Sequence, residues 1–128
     1  IGKAIENSEI VLSAGAAGTQ LLPFDVLKEY GKKCKIVADI NAIPPLGVEG
    51  LKSKADNEEI LPNVFGIGAL AIGKLKNKVE VELIKRAAAE PKGIFDYKIA
   101  YEIAKKVILE KFEEKKSHKV EPEKHWLP

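Results

Sequence analysis

The sequence predicts an α/β fold with a parallel sheet, and three observations carry that reading. Three short apolar runs, at residues 9–15, 34–40 and 63–70, each stop at glycine, small residues or a proline loop. Helix signals lie between these runs, giving the strand–helix–strand alternation of parallel sheets. After residue 75 the apolar spacing lengthens and the Lys and Glu content rises, as in helices.

Taken in order, Ile1 to Asn7 reads as the end of a helix or a connector. Glu9 to Gly15 is an apolar run closed by glycine, the pattern of a strand buried on both faces. Pro23 can start a helix over Phe24 to Tyr30, with Asp25 and Glu29 in it and Gly31 as its stop. Cys34 to Ile40 is the second strand. Pro44-Pro45-Leu46-Gly47 cannot continue a regular element and reads as a rigid loop. Ser53 to Glu59 is polar, a loop or short helix, and Asn63 to Leu70 is the third, glycine-broken strand. Leu75 to Ala89 carries both a strand period (Val79, Val81, Leu83) and a helix stripe (Leu75, Val79, Leu83, Ala87); its length and alanines favour helix. Pro91 and Gly93 break it. Asp96 can cap a last helix that buries Ile99, Ile103, Val107 and Phe112. Glu113 to Lys116 is read as a solvated helix end. Residues 117–128 are a polar tail, or an arm that docks by Trp126.

Composition narrows the function classes. With 128 residues, 45% hydrophobic and 31% charged, the chain suits one domain and is neither disordered nor membrane-spanning. No apolar run approaches the roughly 20 residues a membrane helix needs, and no secretory signal opens the chain. The net charge of +2 argues against nucleic acid as a partner, and Arg86 is the one arginine among 21 cations. The single cysteine, Cys34, fits a reducing, cytoplasmic setting and reads as a core thiol. The chain has no methionine and begins at Ile1, so we expect a piece of a longer protein.

The chemistry is read at the strand ends, where open α/β sheets bind ligands. Ser13-Ala14-Gly15-Ala16-Ala17-Gly18 has side chains small enough for a ligand to approach the backbone; a tight turn explains it equally. Asp39 and Asn41 end the second strand, where they can bind polar ligand groups or stabilise the loop before Pro44. Gly66-Ile67-Gly68-Ala69-Leu70-Ala71 matches the G-x-G-x-x-G/A dinucleotide pattern. Nothing strand-like is expected before it and no acidic strand end follows on schedule, so close packing is the better reading. Lys74, Lys76 and Lys78 form a basic cluster, or a solvated lysine face. His118 and His125 both fall in the tail, so no histidine triad or metal site is supported, and no catalytic side chain is assigned. Such a chain would act by orienting cofactor and substrate, which suits hydride transfer.

Several blocks together resemble the NAD(P)-dependent methylene-tetrahydromethanopterin (methylene-tetrahydrofolate) dehydrogenase family. They are Val11 to Gly18 with Leu21-Leu22-Pro23, Val37 to Gly47, Gly66 to Lys76, and Gly93 to Asp96, spread over residues 9–110. The Asp-x-Asn-Ala-x-Pro-Pro-Leu-Gly block is the most specific. The resemblance implies an oxidoreductase of one-carbon metabolism that moves hydride between a pterin or folate substrate and NADP or NAD. It further implies the second half of a Rossmann-type parallel sheet plus a C-terminal helix: residues 1–90 in the nucleotide-binding domain, 91–116 in a crossing helix and 117–128 in the tail. Ser13, Ala14, Gly15 and Ala16 would line the nicotinamide side. Asn41 and Ala42, with Pro44, Pro45 and Gly47 toward the pterin, would close the site, and Lys76 would contact cofactor or substrate. Lys74 stands where the family usually has glycine. The phosphate loop and the residue for the 2′-phosphate would lie earlier, in a missing N-terminal part.

Two other readings stay open: another Rossmann dehydrogenase such as a shikimate-type enzyme, and a non-catalytic nucleotide-binding or regulatory module. Half a doubly wound sheet leaves a strand edge unpaired, so a homo-oligomer or an upstream strand is expected to cover it.

Overall fold

The computed structural model of the chain describes residues 1–90 and 92–118. They form two compact units, Ile1–Lys74 and the residues from Leu75 onward.

The first unit is built on a four-stranded sheet in the order β1-β2-β4-β3. β1 (Ile10–Ser13), β2 (Ile36–Asp39) and β4 (Val64–Ile67) run parallel, in the three places where the apolar runs predict strands. Two short helices accompany them: α1 (Gly2–Ile5), and α2 (Phe24–Tyr30), which starts after Pro23 and stops at Gly31 as expected. Leu27 of α2, Val37 of β2, and Val48 and Leu51 from the loops are sealed in one core with Leu22, Cys34 and Val64. Each such side chain contributes about 1.5–3 kcal/mol on burial. Cys34 is the core thiol expected: its Sγ–H donates to the Ile36 carbonyl, 3.3 Å away, and burial pushes its pKa up.

Three expectations are corrected in this unit. β1 is not buried on both faces: Ile10 and Leu12 are 65% and 62% exposed, on a sheet face where their register partners Ile36 and Ala38 are only half-buried, so that face is not sealed among the described residues. The polar segment Ser53 to Glu59 is loop only as far as Ala55. β3 (Asp56–Leu61) pairs antiparallel with β4 through a turn at Pro62-Asn63, with register irregularities at Asn57 and Ile60. Asn57 and Asn63 take positive φ, a conformation asparagine tolerates better than most residues. Finally, a strand does precede the G-x-G-x-x-A segment: Gly66 lies inside β4, and a helix begins at Ala69.

That helix, α3 (Ala69–Ala89), starts six residues before the periodic stripe at Leu75 and runs from the first unit into the second. Its one buried residue is Val79. In the second unit α4 (Tyr97–His118) is capped as expected, since the amides of Lys98 and Ile99 donate to Asp96 Oδ1 at 3.0 and 3.3 Å. Ile103 is buried and Ile99 and Val107 are half-buried on one face, whereas Phe112 is exposed, against expectation. On a 3.6-residue helix Phe112 projects well over a quarter-turn away from Ile103. The helix continues through Ser117 and His118; His125 and the docking expected of Trp126 lie outside the described residues. No helix among the described residues is long and apolar enough to cross a membrane.

Candidate functional site at the strand ends

Ser13 and Asp39 are register partners at the carboxyl ends of β1 and β2. The chain leaves each strand through one of the predicted loops, 14–18 after β1 and 40–48 after β2. Both loops belong to the first unit, and a set of buried polar contacts ties them together.

Asp39 is 1% exposed, too enclosed to reach a ligand itself. Its Oδ1 accepts the Asn41 amide at 3.0 Å, an Asx turn, and its Oδ2 accepts the Val48 amide at 3.2 Å. The alternative role weighed for it, stabilising the loop around Pro44, is the one its geometry serves. Asn41, 5% exposed, joins the two loops. Its Oδ1 accepts the amides of Ile43 (3.0 Å) and Gly18 (3.4 Å), and its Nδ2 donates to the Pro45 carbonyl at 3.2 Å.

The same segment is held from its other side. The amides of Leu21 and Leu22 both donate to the Gly47 carbonyl at 2.9 Å, and the Glu49 amide donates to the Leu22 carbonyl at 2.9 Å. Gly47 fits because it has no side chain: a Cβ there would run into Ser13 Oγ and come within 2.7 Å of Asp39 Oδ1. The Ser13 hydroxyl, on a residue 6% exposed, has no hydrogen-bond partner among the described residues. An unsatisfied buried hydroxyl costs about 1–3 kcal/mol.

Over this polar floor the rim is small and apolar. Ala14, Ala16, Ala42, Pro44 and Pro45 are exposed and Gly15 is half-buried, and Pro44-Pro45 is joined by a cis peptide. The structure therefore brings Ser13, Ala14, Gly15, Ala16, Asn41, Ala42, Pro44, Pro45 and Gly47 into one neighbourhood. Lys76 lies on α3 in the second unit, where its Nζ pairs with Glu80 Oε1 at 3.3 Å. Lys74 and Lys78 are exposed. The part played by Val48 and the Leu21-Leu22 backbone carries no signal in the sequence, whereas the Asp-x-Asn spacing of Asp39 and Asn41 carries that of an Asx turn.

The residues fit one end of a nicotinamide dinucleotide better than the other. A flat, weakly polar ring suits the alanine and proline rim; the Ser13 hydroxyl lies beneath that rim, enclosed against Gly47. The phosphate end finds less. A Cβ at Gly66 would collide with Leu51 and approach Ile60 Cγ2 to 2.9 Å, and one at Gly68 would collide with the Lys52 carbonyl oxygen. Those glycines serve packing, and the acidic strand end required about 20 residues on is replaced by α3. A separate groove of about 540 Å³, lined by Leu27, Lys28, Cys34, Lys35 and Val64, opens at the opposite, amino ends of the strands. Among the described residues, no three or more His, Cys, Asp or Glu side chains gather as a metal site.

Two relatives share most of this chain. It is 34% identical over 104 residues to a Methylorubrum extorquens protein named NAD(P)-dependent methylenetetrahydromethanopterin dehydrogenase, covering 79% of this chain and 34% of that protein. It is 34% identical over 105 residues to a protein of the same organism named Bifunctional protein MdtA, covering 82% of this chain and 36% of that protein. The chain thus spans about a third of the length of the curated relatives it matches. No family model matches it. The resemblance drawn from the four sequence blocks and these relatives point to the same family.

Proposed function

We propose that the chain is part of an NAD(P)-dependent oxidoreductase of the methylene-tetrahydromethanopterin dehydrogenase family. Its reaction moves hydride between methylene-tetrahydromethanopterin or methylene-tetrahydrofolate and NAD(P). The observation that carries this reading is the fold of the family-like block 37–47: it builds a rigid apolar rim over buried Asp39 and Asn41, beside the β1 end. The names of the relatives support the same reaction class.

The nicotinamide ring, when bound, supplies the hydride-accepting carbon. This chain's own contribution is placement. Ser13 lies buried beneath the ring position at the β1 end, and Ala14, Gly15 and Ala16 allow close approach to the backbone. Asn41 and Ala42 close the site from the β2 side. Pro44, Pro45 and Gly47 form a wall toward the pterin that excludes water. No side chain here is assigned a proton transfer. Orientation of two reactants is enough for a large part of the catalysis, worth on the order of 7–11 kcal/mol. The residues that hold the pyrophosphate lie outside this chain, in keeping with the packing role of Gly66 and Gly68. Lys76, presented on α3, contacts an anionic group of cofactor or substrate.

The test is formation of NADH or NADPH by the full-length protein with methylene-tetrahydromethanopterin, with methylene-tetrahydrofolate, and with neither. Reduction that requires one of the two substrates is the expected result, and no turnover with either overturns the reading. In the same assay Lys76→Ala should raise one KM about tenfold, the worth of one charge-assisted hydrogen bond. Two unaltered KM values would remove Lys76 from the site.

A further inference from the structure

We propose that Asp39 is the positioning residue of the strand-end site, setting the height of the 44–48 loop through the Val48 amide while touching neither cofactor nor substrate. The inference rests on the dehydrogenase reading for its kinetic consequences, but its geometry stands apart from that reading.

The argument starts from what holds the loop. Residues 44–48 carry two of the prolines and Gly47, and no regular element contains them. Their fixed points are few: the Val48 side chain is sealed in the core beside its bridge to Leu22, and the rest are hydrogen bonds. The Asn41 side chain holds Pro45, the amides of Leu21 and Leu22 hold the Gly47 carbonyl, and Asp39 Oδ2 holds the Val48 amide. Asp39 also fixes Asn41 itself, because its Oδ1 accepts the Asn41 amide. Both anchors on the β2 side therefore trace back to one carboxylate at the last residue of β2.

Only a carboxylate serves both anchors. The two donors are backbone N–H groups, so each oxygen must accept. An asparagine presents one acceptor and one donor, and its NH₂ would face an N–H. Nearly complete burial removes water as a substitute partner. The close approach of Gly47 to Asp39 Oδ1 and Ser13 Oγ shows the outcome: the loop backbone lies directly against the carboxylate and the orphaned hydroxyl. With the Val48 side chain still held in the core, loss of the carboxylate bond would let the 44–47 backbone shift off Ser13, and the wall beside the ring position would move with it.

The test compares Asp39→Asn with the unaltered full-length protein by amide hydrogen exchange and by steady-state kinetics, at a temperature where both are folded. Exchange should speed up about tenfold or more at Ile43 and Val48 while Val37 and Ala38 inside β2 keep their protection. The KM for the nicotinamide nucleotide should rise about tenfold with kcat changed less than about threefold, a split that mere loss of folded protein does not produce. Unchanged exchange at Val48, or loss of protection spread evenly over β2 and the loop, overturns the proposal. If Asp39→Asn does not fold, Gly47→Ala displaces the same segment from the carboxylate and must show the same local exchange pattern; intact protection there overturns the proposal equally. Should the protein reduce no nicotinamide at all, the exchange result alone decides the matter, so failure of the dehydrogenase reading remains distinguishable.

Discussion

A Cβ at Gly68 would strike the carbonyl oxygen of Lys52 and lie 2.5 Å from that of Ser53, and the Gly68 amide donates to the Ala55 carbonyl at 2.8 Å. The turn from β4 into α3 therefore leans on the 52–55 backbone with no room for a side chain. Gly73, on α3, has open space where its Cβ would be. The two alanine substitutions should act in opposite directions. Gly68→Ala should lower stability by about 2–3 kcal/mol through overpacking, and Gly73→Ala should raise it by about 0.5–1 kcal/mol through helix propensity. Urea midpoints of the two variants check both. The sequence marks Gly66 and Gly68 as special, but a G-x-G-x-x-A string reads alike whether a phosphate or a carbonyl fills the space. Only the distances to Lys52 and Leu51 separate the readings.

The strands and helices divide into those that local pattern reveals and those that pairing imposes. α2 was legible to the residue because Pro23 and Gly31 bracket it, and α4 because Asp96 caps it. β3 was not. Asp-Asn-Glu-Glu has poor strand propensity, and it becomes a strand because β4 offers a hairpin partner across Pro62-Asn63. Its charges and irregular register also blunt that end of the sheet. The β1 end lacks such protection: Ile10 and Leu12 are bare on one face, and no strand pairs with the far edge of β1 among the described residues. For the chain expressed alone we expect self-association through this element. Sedimentation equilibrium should give a mass above the 14.0 kDa of one chain, and Ile10→Lys with Leu12→Lys should move it toward monomer. A monomeric parent would contradict the expectation.

For the whole molecule, the parallel α/β core and the strand-end location were legible, because buried strands and their small-residue exits leave continuous apolar runs. The internal tie between the two loops was not, since Asp39 could equally have faced a ligand; burial decides that, and burial arises only when the 47–48 backbone closes over the carboxylate. The central claim is that a nicotinamide ring binds at the carboxyl ends of β1 and β2. Backbone amide chemical shifts of the full-length protein during titration with NADP and with NAD test it most directly. The largest shifts are expected at Ser13 to Ala16, Asn41, Ala42 and Gly47. Shifts confined to the amino-end groove around Lys28 and Lys35, or to Gly66 and Gly68 with Ser13 and Asn41 unmoved, would contradict it.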